Sequence, residues 1–185
     1  MENEQKQIYI VLSQTGTVLS RLLHTVTKKD FNHSSISLNR ELTRMYSFGR
    51  RNAYNPFWAG YVRESPYFGT FKRFPKTNIA VIELQVSAQT YESVAAHLEE
   101  MYTRHKKLRY DILGLLVAAL GIRFKRKNYY YCSDFVKEVL ITNEINGAKQ
   151  LGEIVHPVDF LSLPGANVIY RGRLCDLPPN IQNSL

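Results

Sequence analysis

A chain of 185 residues, 44% hydrophobic and 22% charged, has enough apolar side chains for one compact domain, and its composition excludes disordered and collagen-like architectures. The 24 Lys and Arg outnumber the 16 Asp and Glu, giving a formal net charge of +8. This charge clusters at Arg50-Arg51, Lys72-Arg73, Lys106-Lys107-Arg109 and residues 123–127, without a nucleic-acid motif, so nucleic acid is not an expected partner and peripheral contact with anionic surfaces stays open. The two cysteines, Cys132 and Cys175, are too few for a disulfide framework. The N-terminal residues lack the basic patch of a secretion signal, and the longest apolar run, 112–122, is too short to span a bilayer. A reduced, cytoplasmic protein is the expectation.

Residues 8–12 alternate and are β-rich, which predicts a strand. Residues 13–17 form a turn with helix-capping chemistry, which explains them better than an anion site because no Lys-Ser/Thr tail follows. Leu19, Leu22, Leu23 and Val26 then share one face of a short helix over 18–26. Two β-rich runs, 34–38 and 44–48, flank Asn39-Arg40-Glu41 and predict a hairpin. Residues 50–76, rich in aromatics, Gly and Pro, predict a long irregular segment over a cleft. Residues 78–86 alternate cleanly as a strand, and Ser87 is placed to cap a helix over 89–105.

An apolar helix is predicted over 112–120, ended by Gly121 and followed by Arg123-Phe124-Lys125-Arg126-Lys127. A buried core helix whose trailing cations suit its dipole is the simpler reading, and contact with a membrane surface is the other. Cys132 opens the next helix, 133–141, whose apolar side carries Phe135, Val136, Val139 and Leu140. His156-Pro157-Val158-Asp159 reads as a turn with Asp159 as a cap, and a last strand covers 167–170. The mixture of strands and helices predicts an α+β fold, an antiparallel sheet packed against helices, as one domain over 1–178 with a loose tail at 179–185.

Cys132 is the candidate nucleophile. A thiol at a helix N-terminus meets the positive end of the dipole and unpaired backbone N–H groups, which favour the thiolate and can hold a developing oxyanion. A buried structural cysteine is the bland alternative for Cys132 alone. His33, at the start of a strand, is the candidate base, because a thiol enzyme needs one within hydrogen-bond reach from a separate rigid element. The other histidines, His24, His97, His105 and His156, suit surface or core positions. Arg21 and Arg50 are candidates for a substrate carboxylate or phosphate, and Trp58, Tyr61 and Tyr131 for further substrate contacts. No Cys and His pair has metal-ligand spacing, so neither metal nor cofactor is expected.

Four segments stand in a telling order: residues 32–38 (Asn-His-Ser-Ser-Ile-Ser-Leu), residues 45–50 (Met-Tyr-Ser-Phe-Gly-Arg), Tyr110-Asp111-x-x-Gly114, and Tyr131-Cys132-Ser133-Asp134-Phe135-Val136. Together they resemble the permuted NlpC-like cysteine hydrolases. That group includes YiiX-like and YebB-like bacterial proteins and, more distantly, the lecithin retinol acyltransferase-like enzymes. In papain the cysteine precedes the histidine; in the permuted group, as here, the histidine comes first. The resemblance runs from Ile8 to about Gly172. It implies a circularly permuted papain-like fold in which Cys132 attacks a carbonyl and His33 takes and returns the proton. It also implies that Tyr110 positions the thiol or the oxyanion. Relatives orient the imidazole with a polar residue on the strand after the base; Ser47 is the match by position, and Glu64 is the alternative.

The resemblance thus implies hydrolysis of an amide or ester in a small-molecule, peptide or acyl substrate through an acyl-Cys132 intermediate. A catalytically silent module is the second reading, with Tyr54, Phe57, Trp58, Tyr61, Tyr67 and Phe68 binding a peptide, glycan or lipid. A basic protein acting on nucleic acid is the third, carried by charge alone. Fold alone does not choose among substrates.

Overall fold

A computed structural model describes residues 4–15, 29–52, 55 and 58–178. The helix expected over 18–26, with Arg21 and His24, lies outside the described residues, as do Gly16, Thr17, Tyr54, Phe57 and the tail 179–185.

The strands are β1 (Gln5–Gln14), β2 (His33–Ser37), β3 (Met45–Arg50), β4 (Ala59–Glu64), β5 (Asn78–Ser87), β6 (Arg109–Tyr110), β7 (Tyr129–Tyr130) and β8 (Asn167–Arg173). The helices are α1 (Gly69–Arg73), α2 (Ala88–Thr103), α3 (Ile112–Ala119) and α4 (Cys132–Thr142), with a 3-10 turn at Pro157–Ser162. Six strands make one antiparallel sheet in the order β4-β3-β2-β1-β5-β8, while β6 and β7 form a separate parallel pair. The fold is α+β, with helices packed against the sheet.

The long central strands explain the sheet. β1 and β5 pair along their whole lengths, from Gln5 opposite Ser87 to Gln14 opposite Asn78. Both are apolar on both faces, as strands buried on two sides must be. On one face Ile8, Ile10, Leu12, Ile82 and Leu84 pack with Val94 and Leu98 of α2 and Phe135 and Val139 of α4. On the other face Tyr9, Val11, Ile79 and Val81 join Met45, Phe71 and Leu174 in a smaller cluster. The predicted hairpin is present: Ile36 pairs with Tyr46 and Ser37 with Met45.

The helix starts follow local chemistry. The Ser87 hydroxyl accepts from the Thr90 N–H at 3.1 Å, and the Asp111 carboxylate accepts from the Gly114 N–H at 2.8 Å. Asp111 is also 2% exposed and ion-paired with Arg126. Asp111→Ala removes the cap and leaves the guanidinium without its carboxylate. It is expected to lower stability by about 1–3 kcal/mol, read from the urea midpoint.

Two expectations are corrected. Residues 50–76 are not one irregular segment: they hold β4 and α1, and β4 extends the sheet by pairing with β3 from Met45 opposite Glu64 to Arg50 opposite Ala59. Tyr61 and Val62 anchor β4 in the interior. Nor is α3 a buried core helix. Its buried residues are Gly114 and Ala118, whereas Leu113, Leu116 and Leu120 are exposed. The small residues lie against the body, so the large ones point away from it. Among the described residues, no helix is long and apolar enough to cross a membrane.

Candidate active site

Tyr131 has extended backbone angles (φ −104°, ψ 169°) and precedes α4 as its N-cap without a side-chain cap bond, so Cys132 is the first residue of an 11-residue helix. The first-turn N–H groups have no intrahelical partners, and the dipole is positive there. α4 packs on β2 and β3, which brings its start to the beginning of β2. The Cys132 residue is 2% exposed. Its sulfur lies 3.9 Å from the Asn32 carbonyl oxygen. The His33 side chain and the backbone groups of Ser34 and Ser133 are close enough to the sulfur to favour its charged form.

On its other side His33 meets Glu64. The Nε2 atom is 3.0 Å from Oε2 and 3.2 Å from Oε1. The Ser35 hydroxyl donates to Glu64 Oε2 at 2.7 Å. Ser35 and His33 are two apart on β2 and therefore share a face. Only 17% of the His33 side chain and 11% of the Glu64 side chain are exposed. The ring of Phe71 in α1 flanks the imidazole, its centroid 6.4 Å away.

Gly49 makes room for this pair. A Cβ at Gly49 would sit 3.0 Å from Glu64 Oε1 and 3.4 Å from His33 Cε1. Gly49→Ala forces the carboxylate or the imidazole to shift. Its expected effect is a roughly 10- to 100-fold loss of Cys132 reactivity toward iodoacetamide at neutral pH, with a near-normal urea midpoint.

The electrostatics follow from this geometry. Burial works to lower the His33 pKa, but the Glu64 charge and the hydrogen bonds to Cys132 and Glu64 overcome it and raise it to about 10. For Cys132 burial works upward; the His33 hydrogen bond and charge, aided by the two backbone N–H groups, outweigh it and hold the thiol below its ordinary range. Burial likewise opposes ionisation of Glu64, yet the His33 charge, with hydrogen bonds from His33 and Ser35, keeps its carboxyl low. The arrangement therefore favours imidazolium and carboxylate at neutral pH and shifts Cys132 toward the thiolate.

The remaining candidates separate clearly. Ser47, matched by position, is fully buried and donates to the Ser34 carbonyl oxygen at 2.7 Å, so its hydroxyl is engaged away from the imidazole. Tyr110 lies near Cys132, Glu64 and Arg50; burial, then the Cys132 and Glu64 charges, push its phenol far up, which leaves it a proton donor. Tyr61 is 2% exposed, stacks edge-on against Phe135 and donates to the Leu98 carbonyl oxygen at 3.0 Å, so its ring is anchored in the core while the residue also borders the cleft beside Glu64. A cleft of about 410 Å³ is lined by Glu64, Arg50, Trp58, Phe68 and Phe71. On the thiol side a narrow recess of about 30 Å³ is lined by Cys132, Tyr131, Phe31, Leu115 and Ala118.

The sequence reading did not single out Ser35 or Gly49. The period-2 relation of Ser35 to His33 was the available signal for the first. The other histidines sit elsewhere: His97 contacts Asn143 at 3.1 Å, His105 stacks on Tyr102, and the His156 backbone N–H donates to Asp159 at 2.8 Å as part of a helix cap. Among the described residues no three of His, Cys, Asp and Glu group as a metal site. No protein-family model and no curated protein matches the chain.

Proposed function

We propose that this protein is a thiol hydrolase of the permuted papain-like type, acting on an amide or ester of a small-molecule, peptide or acyl substrate. The carrying observation is the continuous chain Cys132–His33–Glu64, in which the thiol is held below and the imidazole above its ordinary range. The Cys132 thiolate attacks the carbonyl carbon, and the carbonyl π electrons move to oxygen. The backbone N–H groups at the α4 start, with the Tyr110 hydroxyl, are the donors for that oxyanion. As the tetrahedral species collapses, the His33 imidazolium protonates the departing amine or alkoxide and a thioester remains. Neutral His33 then takes a proton from water as it attacks the thioester, and collapse of the second tetrahedral species releases the acid and expels the Cys132 thiolate beside the new imidazolium, which restores the ion pair. Glu64 orients the ring and stabilises its charge.

Arg50, close to Glu64 and Tyr110, and Trp58 on the cleft wall are our candidates for holding the rest of the substrate, with Tyr131 beside the thiol. The same chemistry fits a reducing compartment such as the cytoplasm, where the Cys132 thiolate and the exposed free thiol of Cys175 escape oxidation.

The test is mass spectrometry after incubation with a panel of activated acyl esters. Acylation confined to Cys132, followed by release on standing, supports the proposal. An inert Cys132 under every ester favours the silent binding module instead.

A further inference from the structure

A helix lying on a protein body normally turns its large apolar side chains inward. α3 does the reverse. Gly114 and Ala118, four residues apart, are buried, while Leu113, Leu116 and Leu120 are 50%, 39% and 70% exposed. Spacings of three and four place these leucines on one stripe. Beyond the turn at Gly121 (φ +78°), Ile122 and Phe124 continue the apolar surface at 57% and 44% exposure. Arg123, Lys125 and Lys127 alternate with them and are exposed. No acidic residue occurs between Asp111 and Asp134 in the chain. Two of the cations are tethered at the rim: Lys125 lies 3.5 Å from Glu138, and Arg123 donates to the Glu153 carbonyl oxygen at 2.9 Å.

We propose that this surface docks on an anionic lipid bilayer. The leucine stripe, Ile122 and Phe124 enter the boundary between headgroups and acyl chains, and the interleaved cations meet lipid phosphates. Charge complementarity selects this occupant. Aliphatic side chains alternating with Lys and Arg suit an anionic interface, whereas protein interfaces are depleted in Lys and enriched in aromatic anchors. With 8 residues, α3 is about 12 Å long at 1.5 Å per residue, which suits a helix lying in the interface plane. Its inner side, through Leu115 and Ala118, lines the recess at Cys132, so docking sets that recess beside the bilayer. The proposal does not depend on the thiol chemistry.

The experiment is flotation of the full chain with phosphatidylcholine vesicles, with and without phosphatidylserine, at low and high salt. Wild type and Cys132→Ala are expected to bind the phosphatidylserine vesicles equally, and less at high salt. The triple variant Leu113→Gln/Leu116→Gln/Leu120→Gln should bind at least about 10-fold more weakly. The pair Lys125→Gln/Lys127→Gln should lose roughly 10-fold on anionic vesicles alone. All substituted side chains are exposed or at the rim, and a urea midpoint checks that each variant is folded. Absence of wild-type binding at low salt overturns the proposal, as does a folded leucine variant that floats like wild type. Self-association without vesicle binding, lost in the leucine variant, would assign the patch to a protein contact and overturn it too.

Discussion

Cys132→Ala is expected to reduce hydrolysis by on the order of 10⁴-fold or more while leaving the fold intact, since Ala is a strong helix former and the removed sulfur is one atom. Cys132→Ser is the sharper variant. It keeps the size, the position at the start of α4 and the backbone N–H donors. A serine hydroxyl, however, must lose its proton as it attacks, and in the wild type Glu64 and Cys132 together hold the neighbouring imidazole at about 10. The Glu64 part of that influence survives in the variant and keeps favouring the imidazolium, which cannot accept the proton. The serine variant should be nearly as inactive as the alanine variant. A serine enzyme with measurable turnover at neutral pH would contradict the ion pair.

The two readouts of wild type should also diverge with pH. Alkylation of Cys132 needs only the thiolate, so its rate rises as pH climbs through the depressed thiol pKa and then stays level. Hydrolysis needs the His33 proton for the leaving group, so it falls as pH passes about 10. Stopped assays of both reactions across pH, on the same preparation, check this.

How far the sequence exposed this arrangement depended on what each signal measures. Strand 78–86 and the helix after Ser87 were legible because alternation and a capping hydroxyl are local properties, and β5 and α2 follow them closely. β4 was hidden because residues 59–64 (Ala-Gly-Tyr-Val-Arg-Glu) carry one short apolar step inside an aromatic, Gly-rich stretch, and only pairing with β3 makes them a strand. For α3, composition suggested burial, but composition does not say which stripe faces in. The small side chains of Gly114 and Ala118 took the inner position.

The site shows the same division. Cys132 and His33 were legible from a helix start and a strand start. The partner of His33 was left between two residues because hairpin logic favours the adjacent strand, β3, and hence Ser47. Side-chain reach decides the geometry instead. The Ser47 hydroxyl is short and satisfied by the Ser34 carbonyl, whereas Glu64 on β4 extends across the space left by Gly49. Tyr61 was expected at the substrate; its ring packs on Phe48 and Phe135, and the residue also borders the cleft beside Glu64.

Glu64→Gln is expected to lower kcat/KM by about 10²–10⁴-fold and to move the alkaline limb of hydrolysis to lower pH. Glutamine keeps the length and one acceptor oxygen, so the imidazole retains a hydrogen-bond partner while the charge is lost. The direction follows from the balance at His33. Burial alone pushes a buried imidazole down, and the Glu64 charge is the largest influence opposing it. Without that charge the imidazolium loses its proton at lower pH, and the thiol, which owes its depression chiefly to His33, becomes harder to ionise. Acid and alkaline limbs should thus approach each other, and the window of the active ion pair should narrow from both sides. Ser35→Ala, which removes one hydrogen bond to Glu64 but no charge, should narrow it far less. A purely structural Glu64 would change the amount of folded protein without moving either limb. Limbs that stay in place in a folded Glu64→Gln variant would therefore assign the carboxylate to packing and leave His33 charged by Cys132 alone.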